Sequence, residues 1–294
     1  MPNQTTSLKT INNEKLIIKE LASLNSISEI KLNDTGWDSR VYSFGDGQYF
    51  FKFPRSKKVQ NLYKYEITAL KCLQKLDTAV VTQKIIWVHP KNEYFGYEGL
   101  QGKPLGEIIN YLSAKEKEAI GINIGSFLKQ LHKIKLTDAR KITINNEIEQ
   151  IQDWYKSNIN VVKKSFTTTQ QQKLNTLVYI EWPAMLKKLG SDPVFSHGDL
   201  DLKNIIYNTS FSVGVIDFGD VAYYDRSKDF LELNNSKIVF NNALRVYDYN
   251  DSIFKSKIAI RHNMIQIINL GFYSGKNDQK NMLKTVNYIK KYLA

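Results

Sequence analysis

The sequence predicts an α+β protein of two lobes, a small N-terminal lobe with an antiparallel sheet and a larger, mostly helical C-terminal lobe. Three observations predict it. Strand-like runs crowd the first third, and two of them, Arg40 to Phe44 and Tyr49 to Phe53, face each other across Gly45-Asp46-Gly47, a good hairpin signal. Beyond Gly102 the texture turns helical. A compact β-rich patch, Val194 to Asp217, interrupts those helices. The division gives lobes of residues 1–100 and 101–294, with a cleft between them, a common position for ligands.

Taken in order, Asn12 to Leu24 has helical apolar spacing, with Leu16, Ile17 and Leu21 on one face. Ile27 to Leu32 reads as a strand and Asn33 to Gly36 as a turn. After the hairpin, Pro54 ends the second strand, and Val59 to Leu76 reads as an amphipathic helix. Thr82 to Val88 and Tyr94 to Leu100 are further strands, parted by His89-Pro90-Lys91-Asn92. Ser113-Ala114-Lys115-Glu116 has the form of a capping box opening a helix to about Ile134. Asn145 to Lys156 and Gln170 to Leu189 are helical, as is much of the chain after Asp225.

At 294 residues the chain can build two lobes with their own cores, and no apolar run approaches bilayer-spanning length. Met1 to Thr10 is polar and lacks the apolar stretch of a secretory signal. The single cysteine, Cys72, cannot form an internal disulfide, which fits the cytoplasm as the expected location. With 41 basic and 29 acidic residues the net charge is +12, which raises nucleic acid or an anionic surface as partners. The lysines are spread along the chain, however, and the densest cluster, Arg55, Lys57 and Lys58, is short. Solvated faces account for most of the charge, so neither nucleic acid nor membrane is an expected partner.

The chemistry concentrates in Ser196-His197-Gly198-Asp199-Leu200-Asp201-Leu202-Lys203-Asn204 and in Gly214-Val215-Ile216-Asp217-Phe218-Gly219-Asp220. Asp199 and Asn204 lie five residues apart on one loop, and Asp217 begins the next after a short hairpin. This order can gather two carboxylates and an amide oxygen. Phosphoryl transfer uses such a set: a carboxylate to orient and accept the alcohol proton, and oxygen ligands for magnesium. A lone His and no nearby Cys argue against zinc.

The two stretches resemble the catalytic loop and metal-binding motif of the protein-kinase-like fold, in the form used by the aminoglycoside phosphotransferase family. That family has His-Gly-Asp, an Asn five residues after the Asp, and then Ile-Asp-Phe or Ile-Asp-Trp. The likeness runs from about Gly36 to Leu231. Gly198 stands where protein kinases usually carry Arg, and Asp201 stands where they carry a Lys. Both departures point from protein acceptors toward small molecules. The resemblance implies that Asp199 is the base, that Asn204 and Asp217 bind Mg2+, and that ATP or GTP is the co-substrate. By the same analogy His197 is structural, without a proton-transfer role.

Further features fall in the order the resemblance requires. Strand alternation aims Lys52 to the face opposite Phe51 and Phe53, and Glu66 follows on the next helix. In the resembled fold a strand Lys contacts the α- and β-phosphates and is held by a helix Glu. Phe51-Lys52-Phe53-Pro54-Arg55 is similar to the aminoglycoside 2″-phosphotransferase branch. The phosphate-covering loop, Thr35 to Val41, has one glycine, Gly36, which serves either a turn or phosphate contact; Ser39 is its first candidate side chain. Tyr97-Glu98-Gly99-Leu100 resembles the hinge, with the backbone of Glu98 and Leu100 reading the base edge. Tyr97 would guard the back of the pocket and disfavour adenine over guanine, in line with GTP-preferring relatives of the 2″ branch. Asp225 to Leu231 is similar to the family's Asp-Pro-x-x-Asp-Leu segment with Arg226 for Pro, which implies that Asp229 caps a helix and braces the catalytic loop.

The expected function is therefore a small-molecule kinase, an antibiotic-resistance aminoglycoside phosphotransferase in the first instance. Its acceptor site would carry carboxylates near Asp199, with Asp201, Asp220, Glu232, Asp248 and Asp251 as candidates, although +12 is not the charge expected of a polycation binder. A metabolic kinase of the same fold, acting on choline, ethanolamine, an amino alcohol or a sugar, is the alternative. Choline would ask for an aromatic cage, for which Trp154, Trp182, Tyr223, Tyr224, Tyr247 and Tyr249 are available. A catalytically silent nucleotide-binding module is the remaining reading, and the joint presence of Lys52, Asp199, Asn204 and Asp217 speaks against it.

Overall fold

A computed structural model describes residues 6–34, 36, 38–208, 213–249 and 251–294. Thr35 and Trp37 of the expected phosphate loop, residues 1–5 of the polar amino terminus and residues 209–212 of the expected β-rich patch lie outside the described residues.

The N-terminal sheet is antiparallel and five-stranded. Its first strands are β1 (Lys31–Asn33), β2 (Ser39–Phe44) and β3 (Tyr49–Pro54). The hairpin pairs Phe44 with Tyr49 and Val41 with Lys52, as the Gly-Asp-Gly connection predicts. The chain then makes β4 (Val80–Thr82), β5 (Lys84–Val88) and β6 (Phe95–Glu98), and the sheet order is β1-β2-β3-β6-β5. Helix α1 (Leu8–Leu21) packs Ile18 into the cluster of Tyr42, Phe44, Phe51 and Phe53. Its buried Glu14 takes hydrogen bonds from Arg40 Nε at 2.8 Å and Tyr42 OH at 2.6 Å. Burial raises the Tyr42 hydroxyl pKa, and the Glu14 bond adds to it.

Local chemistry redraws two of the expected elements. α1 begins at Leu8 because Ser7 caps it, and the left-handed Ser23 turns the chain just beyond its end. The expected strand from Ile27 is mostly a short 3-10 turn, Ile27–Glu29, because Ser26 and Glu29 form a capping box there. A third correction is topological. Val80–Thr82 leaves the first sheet and runs parallel to Val213–Val215 in a second sheet, breaking the expected strand Thr82 to Val88 at Gln83.

That second sheet is completed by β7 (Lys103–Pro104), β9 (Ile205–Tyr207) and β10 (Val213–Val215), in the order β4-β10-β9-β7. Separately, β8 (Pro193–Ser196) pairs with β11 (Ala222–Asp225). One hydrophobic core joins Val59, Tyr63, Ile67, Leu70 and Val80 to Leu105, Ile124, Phe127, Ile205 and Phe218. Residues 57–82 thus share a core with residues beyond Leu100. The helix carrying the first of these is α2 (Lys57–Leu73), capped by Ser56.

The remainder is mostly helical, as expected. Short α3 (Leu105–Ile108) precedes α4 (Ala114–Leu131), which opens on the expected capping box of Ser113 and Glu116. Next come α5 (Ile144–Ser157), α6 (Ile159–Ser165), α7 (Thr168–Thr176) and α8 (Trp182–Leu189). A π-helical turn, Leu177–Glu181, separates the last two where one helix was expected. Pro183 has no N–H for the carbonyl a turn before it, and the hydrogen-bond register slips ahead of it. The chain ends in α9 (Lys237–Tyr247), α10 (Ser252–Gly275) and α11 (Gln279–Leu293). α9 lies tight on α4 because Gly121 and Gly125 carry no side chain: a Cβ would sit 2.5 Å from Val239 O and 2.4 Å from Ala243 O. A second core knits α5–α8 to α10 and α11. Among the described residues no helix is long and apolar enough to cross a membrane.

Candidate active site

The loop after β8 is held from below by one carboxylate. Asp229, with no exposed surface, accepts from His197 N at 2.9 Å, Gly198 N at 2.8 Å and His132 Nε2 at 3.0 Å. Burial pushes this carboxyl up, but the hydrogen bond from His132 and the Gly198 N–H help hold it below the usual carboxylate range. Asp229 sits inside a 3-10 turn, Arg226–Phe230, so the expected helix cap is not made while the bracing is. His132, at the end of α4, carries no sequence signal of its own; its Nδ1 lies 2.6 Å from Tyr247 OH.

Gly198 has φ +86°, and a Cβ there would stand 2.6 Å from Asp220 O. No side chain fits, so the Arg of protein kinases is excluded by backbone as well as by sequence. His197 places Nε2 3.0 Å from Ile216 O, which can only accept, and Nδ1 accepts from Asp199 N at 3.3 Å. Both ring nitrogens are engaged, as a structural role requires.

Asp199, Asn204 and Asp217 come together around this frame. Asn204 Nδ2 donates to Asp199 O at 2.8 Å and to Asp199 Oδ2 at 3.2 Å, leaving Asn204 Oδ1 as the amide's second group. Asp217 adopts a left-handed conformation, φ +66°, and its N–H donates to Gln83 Oε1 at 3.0 Å. The Asp199 side chain is 37% exposed and that of Asp217 54%, so both carboxylates open to solvent. Behind them Lys52 Nζ lies 2.8 Å from Glu66 Oε1 and 3.0 Å from Asp217 Oδ1, with Lys52 and Glu66 buried. Burial would lower the Lys52 ammonium, but Asp217 and Glu66 raise it well above its usual value. The Lys52 charge in turn holds the Asp217 carboxyl below the usual range.

The donor chemistry fits magnesium. Asn204 Oδ1 and the Asp217 carboxylate are hard oxygen donors, and the imidazole beside them is fully engaged. Among the described residues no group of three or more His, Cys, Asp or Glu side chains is arranged to hold a metal on its own. Magnesium needs no such group, since it takes one or two carboxylates and completes its shell with water and substrate phosphates.

The expected nucleotide contacts are placed unevenly. Tyr97 is buried, stacked on Phe50 with centroids 5.7 Å apart, and burial raises its hydroxyl pKa while nearby Lys52 opposes it. Glu98 ends β6 with Oε1 3.6 Å from Lys84 Nζ, and Leu100 packs against Gly214. Ser39 departs from its expected place in the phosphate loop. It opens β2, is 6% exposed, and its hydroxyl lies 2.7 Å from Tyr63 OH, so it is committed to the interior of the lobe. Arg55 instead reaches that loop, donating to Gly36 O at 3.0 Å and Asp34 O at 2.8 Å.

Of the acidic candidates, Asp201, Asp220 and Glu232 gather near Asp199. Burial pushes the Asp220 carboxyl up and the Asp199 charge adds to it; burial and Asp201 do the same to Glu232. Glu232 Oε1 is buried with no hydrogen-bond partner among the described residues. Asp248 and Asp251 serve helix ends instead, the first closing α9 at φ +60° and the second capping α10 through Phe254 N at 2.6 Å. Four of the six aromatic candidates are engaged elsewhere. Trp182 is in the helical core, Tyr223 OH bonds Leu136, and Tyr247 and Tyr249 already hold the Arg226 guanidinium, 5.9 and 4.5 Å from their ring centres.

Residues 29–245 match the model of the phosphotransferase enzyme family. A GDP and kanamycin complex of APH(2″)-IIIa is similar over 95% of this chain and 97% of its own, with 18% identity and a TM-score of 0.78. The aminoglycoside phosphotransferase APH(2″)-Ib with ADP bound covers 93% and 96%, at 20% identity and TM-score 0.66. The choline kinase LicA from Streptococcus pneumoniae covers 96% and 99%, at 17% identity and TM-score 0.61. At these identities the likeness is one of fold.

Proposed function

We propose, from the premise that this chain belongs to the phosphotransferase enzyme family, that it transfers the γ-phosphoryl group of a magnesium-bound nucleoside triphosphate to a hydroxyl of an aminoglycoside. The observation that carries the reading is the meeting of Lys52, Asp199, Asn204 and Asp217 at one opening, although the first stands far from the others in sequence.

In this reading Asp199 orients the acceptor hydroxyl and takes its proton as the oxygen attacks phosphorus. Asn204 holds the Asp199 carboxylate by one oxygen, which leaves the other for the alcohol. Lys52, kept charged by its two carboxylates, neutralises the α- and β-phosphates, and Glu66 fixes it in place. Asn204 and Asp217 would hold Mg2+, which supplies charge neutralisation of the phosphates when bound. The nucleotide belongs to residues 1–100, with Glu98 and Leu100 at the base edge and Tyr97 behind it favouring GTP over ATP; the acceptor belongs to residues 101–294.

Asp201, Asp220 and Glu232 give the acceptor side a local negative character that the overall +12 conceals, which suits an aminoglycoside's ammonium groups. A metabolic kinase of the same fold is the alternative, and the engagement of four of the aromatics elsewhere weighs against choline within it. Cytoplasmic location fits the free Cys72.

The test is a panel assay of nucleoside diphosphate release with aminoglycosides, choline, ethanolamine, homoserine and simple sugars, each with ATP and GTP. Release that depends on kanamycin-like compounds is the expected result. Release with choline or a sugar alone selects the metabolic kinase, and none with any acceptor removes the enzyme reading.

A further inference from the structure

We propose that Lys203 is a catalytic residue, its ammonium contacting the phosphoryl group as it passes from nucleotide to acceptor; this rests on the function proposed above. Lys203 lies in the 3-10 turn Leu202–Asn204, between two residues whose exposure is 6% and 4%. Its own side chain is 60% exposed, with Nζ 3.4 Å from Asp199 Oδ2 and 3.6 Å from Asp201 Oδ2. The turn is tied at both ends, by Asp201 N to Asp199 O at 2.9 Å and Asn204 N to Asp201 O at 2.9 Å. A fixed backbone thus presents an exposed cation beside the proposed base.

The geometry on Asp199 is asymmetric. Lys203 Nζ and Asn204 Nδ2 both approach Oδ2, and neither addresses Oδ1. The oxygen left over is the one that can take the alcohol proton. In the reaction the alcohol oxygen bonds to the γ-phosphorus, the bond to the β-bridging oxygen breaks, and the diphosphate leaves with the electron pair. The alcohol proton goes to Asp199. Negative charge spreads over the three equatorial oxygens of the group in flight, and a cation there lowers the barrier. Lys52 is committed behind the site to Glu66 and Asp217. Protein kinases carry a Lys two residues after the base, where this chain has Asp201. Asp201 here flanks Lys203 at 3.6 Å, and this chain's cation on the loop comes two positions later.

The experiment compares Lys203→Ala and Lys203→Arg with the wild type, measuring kcat, KM for nucleotide and acceptor, and Tm. Lys203→Ala is expected to lower kcat by about tenfold to a hundredfold, with either KM changed by no more than about twofold. Its Tm should stay near that of the wild type, because the side chain is largely exposed. Lys203→Arg should recover most of the lost kcat. An Ala variant with near wild-type kcat overturns the proposal, as does a loss carried wholly by KM or a fall in Tm that Arg does not relieve. An active wild type with an unaffected Ala variant removes this inference alone, whereas a wild type inert on every acceptor removes the function it rests on.

Discussion

Lys52 Nζ and Asp217 Oδ1 lie 3.0 Å apart across the boundary between the N-terminal sheet and the loop after β10. The ammonium also serves Glu66, which is 1% exposed and depends on it for charge balance. Lys52→Met should therefore act twice. It should lower kcat/KM for the nucleotide by at least about a hundredfold, and it should cost about 3–5 kcal/mol by leaving Glu66 buried and unpaired. Adding Glu66→Leu should recover much of the stability and none of the activity. Urea denaturation beside steady-state kinetics separates the two effects.

The proposed base and metal ligand should separate in binding experiments. Asp199→Asn keeps the shape of the side chain and its contact with Asn204 but removes the proton acceptor. Turnover should fall by at least about a hundredfold with nucleotide affinity intact. Asp217→Ala should instead abolish magnesium-dependent nucleotide binding, measured by calorimetry with and without magnesium. Unchanged magnesium dependence would rule out its ligand role.

The part of the site legible in sequence is the part built locally. Asp199 and Asn204 share one loop, Asp217 follows a short hairpin, and strand alternation turned Lys52 toward Glu66 on the adjoining helix. What could not be read depends on pairing across long separations. Gln83 reaches Asp217 only because Val80–Thr82 runs parallel to β10, and a three-residue strand has too little pattern to reveal its partner. His132 and Tyr247 meet beneath the loop because α9 seats on Gly121 and Gly125 of α4, which a helical pattern alone does not specify. Ser39 points inward for a simpler reason. Its strand begins one residue earlier than the β-branched and aromatic run suggests, and the pleat turns its hydroxyl inward to Tyr63.

Asp229 offers a test of how firmly the loop must be held. Its carboxylate satisfies two buried backbone N–H groups and an imidazole, so Asp229→Ala leaves all three without their acceptor. The expected cost is about 2–5 kcal/mol, and kcat should fall with it, because His197 and Gly198, which lead into Asp199, lose their anchor. Asp229→Asn keeps one acceptor oxygen and should fall between. A stable, fully active alanine variant in urea denaturation and turnover assays would show that the loop does not depend on this support.

Acid should unfold the protein through the carboxylates its cations hold down. Asp225 is fully buried, with Lys257 Nζ at 2.9 Å, Arg261 Nη1 at 3.5 Å and the Ser227 hydroxyl at 2.7 Å. Burial pushes its carboxyl up, but Arg261, Ser227, the Asp192 N–H and Lys257 outweigh that and hold it below its usual value. A folded-state pKa below the unfolded one means that the unfolded chain takes up the proton first as pH falls. The stabilisation is then complete above the ordinary carboxylate range, roughly pH 4, and is lost as pH drops below it toward the folded value. Asp229 and Asp217 carry the same sign and add to the slope. Asp220 and Glu232, raised in the folded state, carry the opposite sign above that range, so the fall in urea midpoint is expected below about pH 4, where Asp225, Asp229 and Asp217 are protonated. Asp225→Asn should be less stable than the wild type at neutral pH, since it leaves the buried Lys257 without its anion while Arg261 keeps Glu147, and its stability should fall less steeply in acid. Equal acid slopes for variant and wild type would mean that Asp225 is not among the groups whose protonation unfolds the chain.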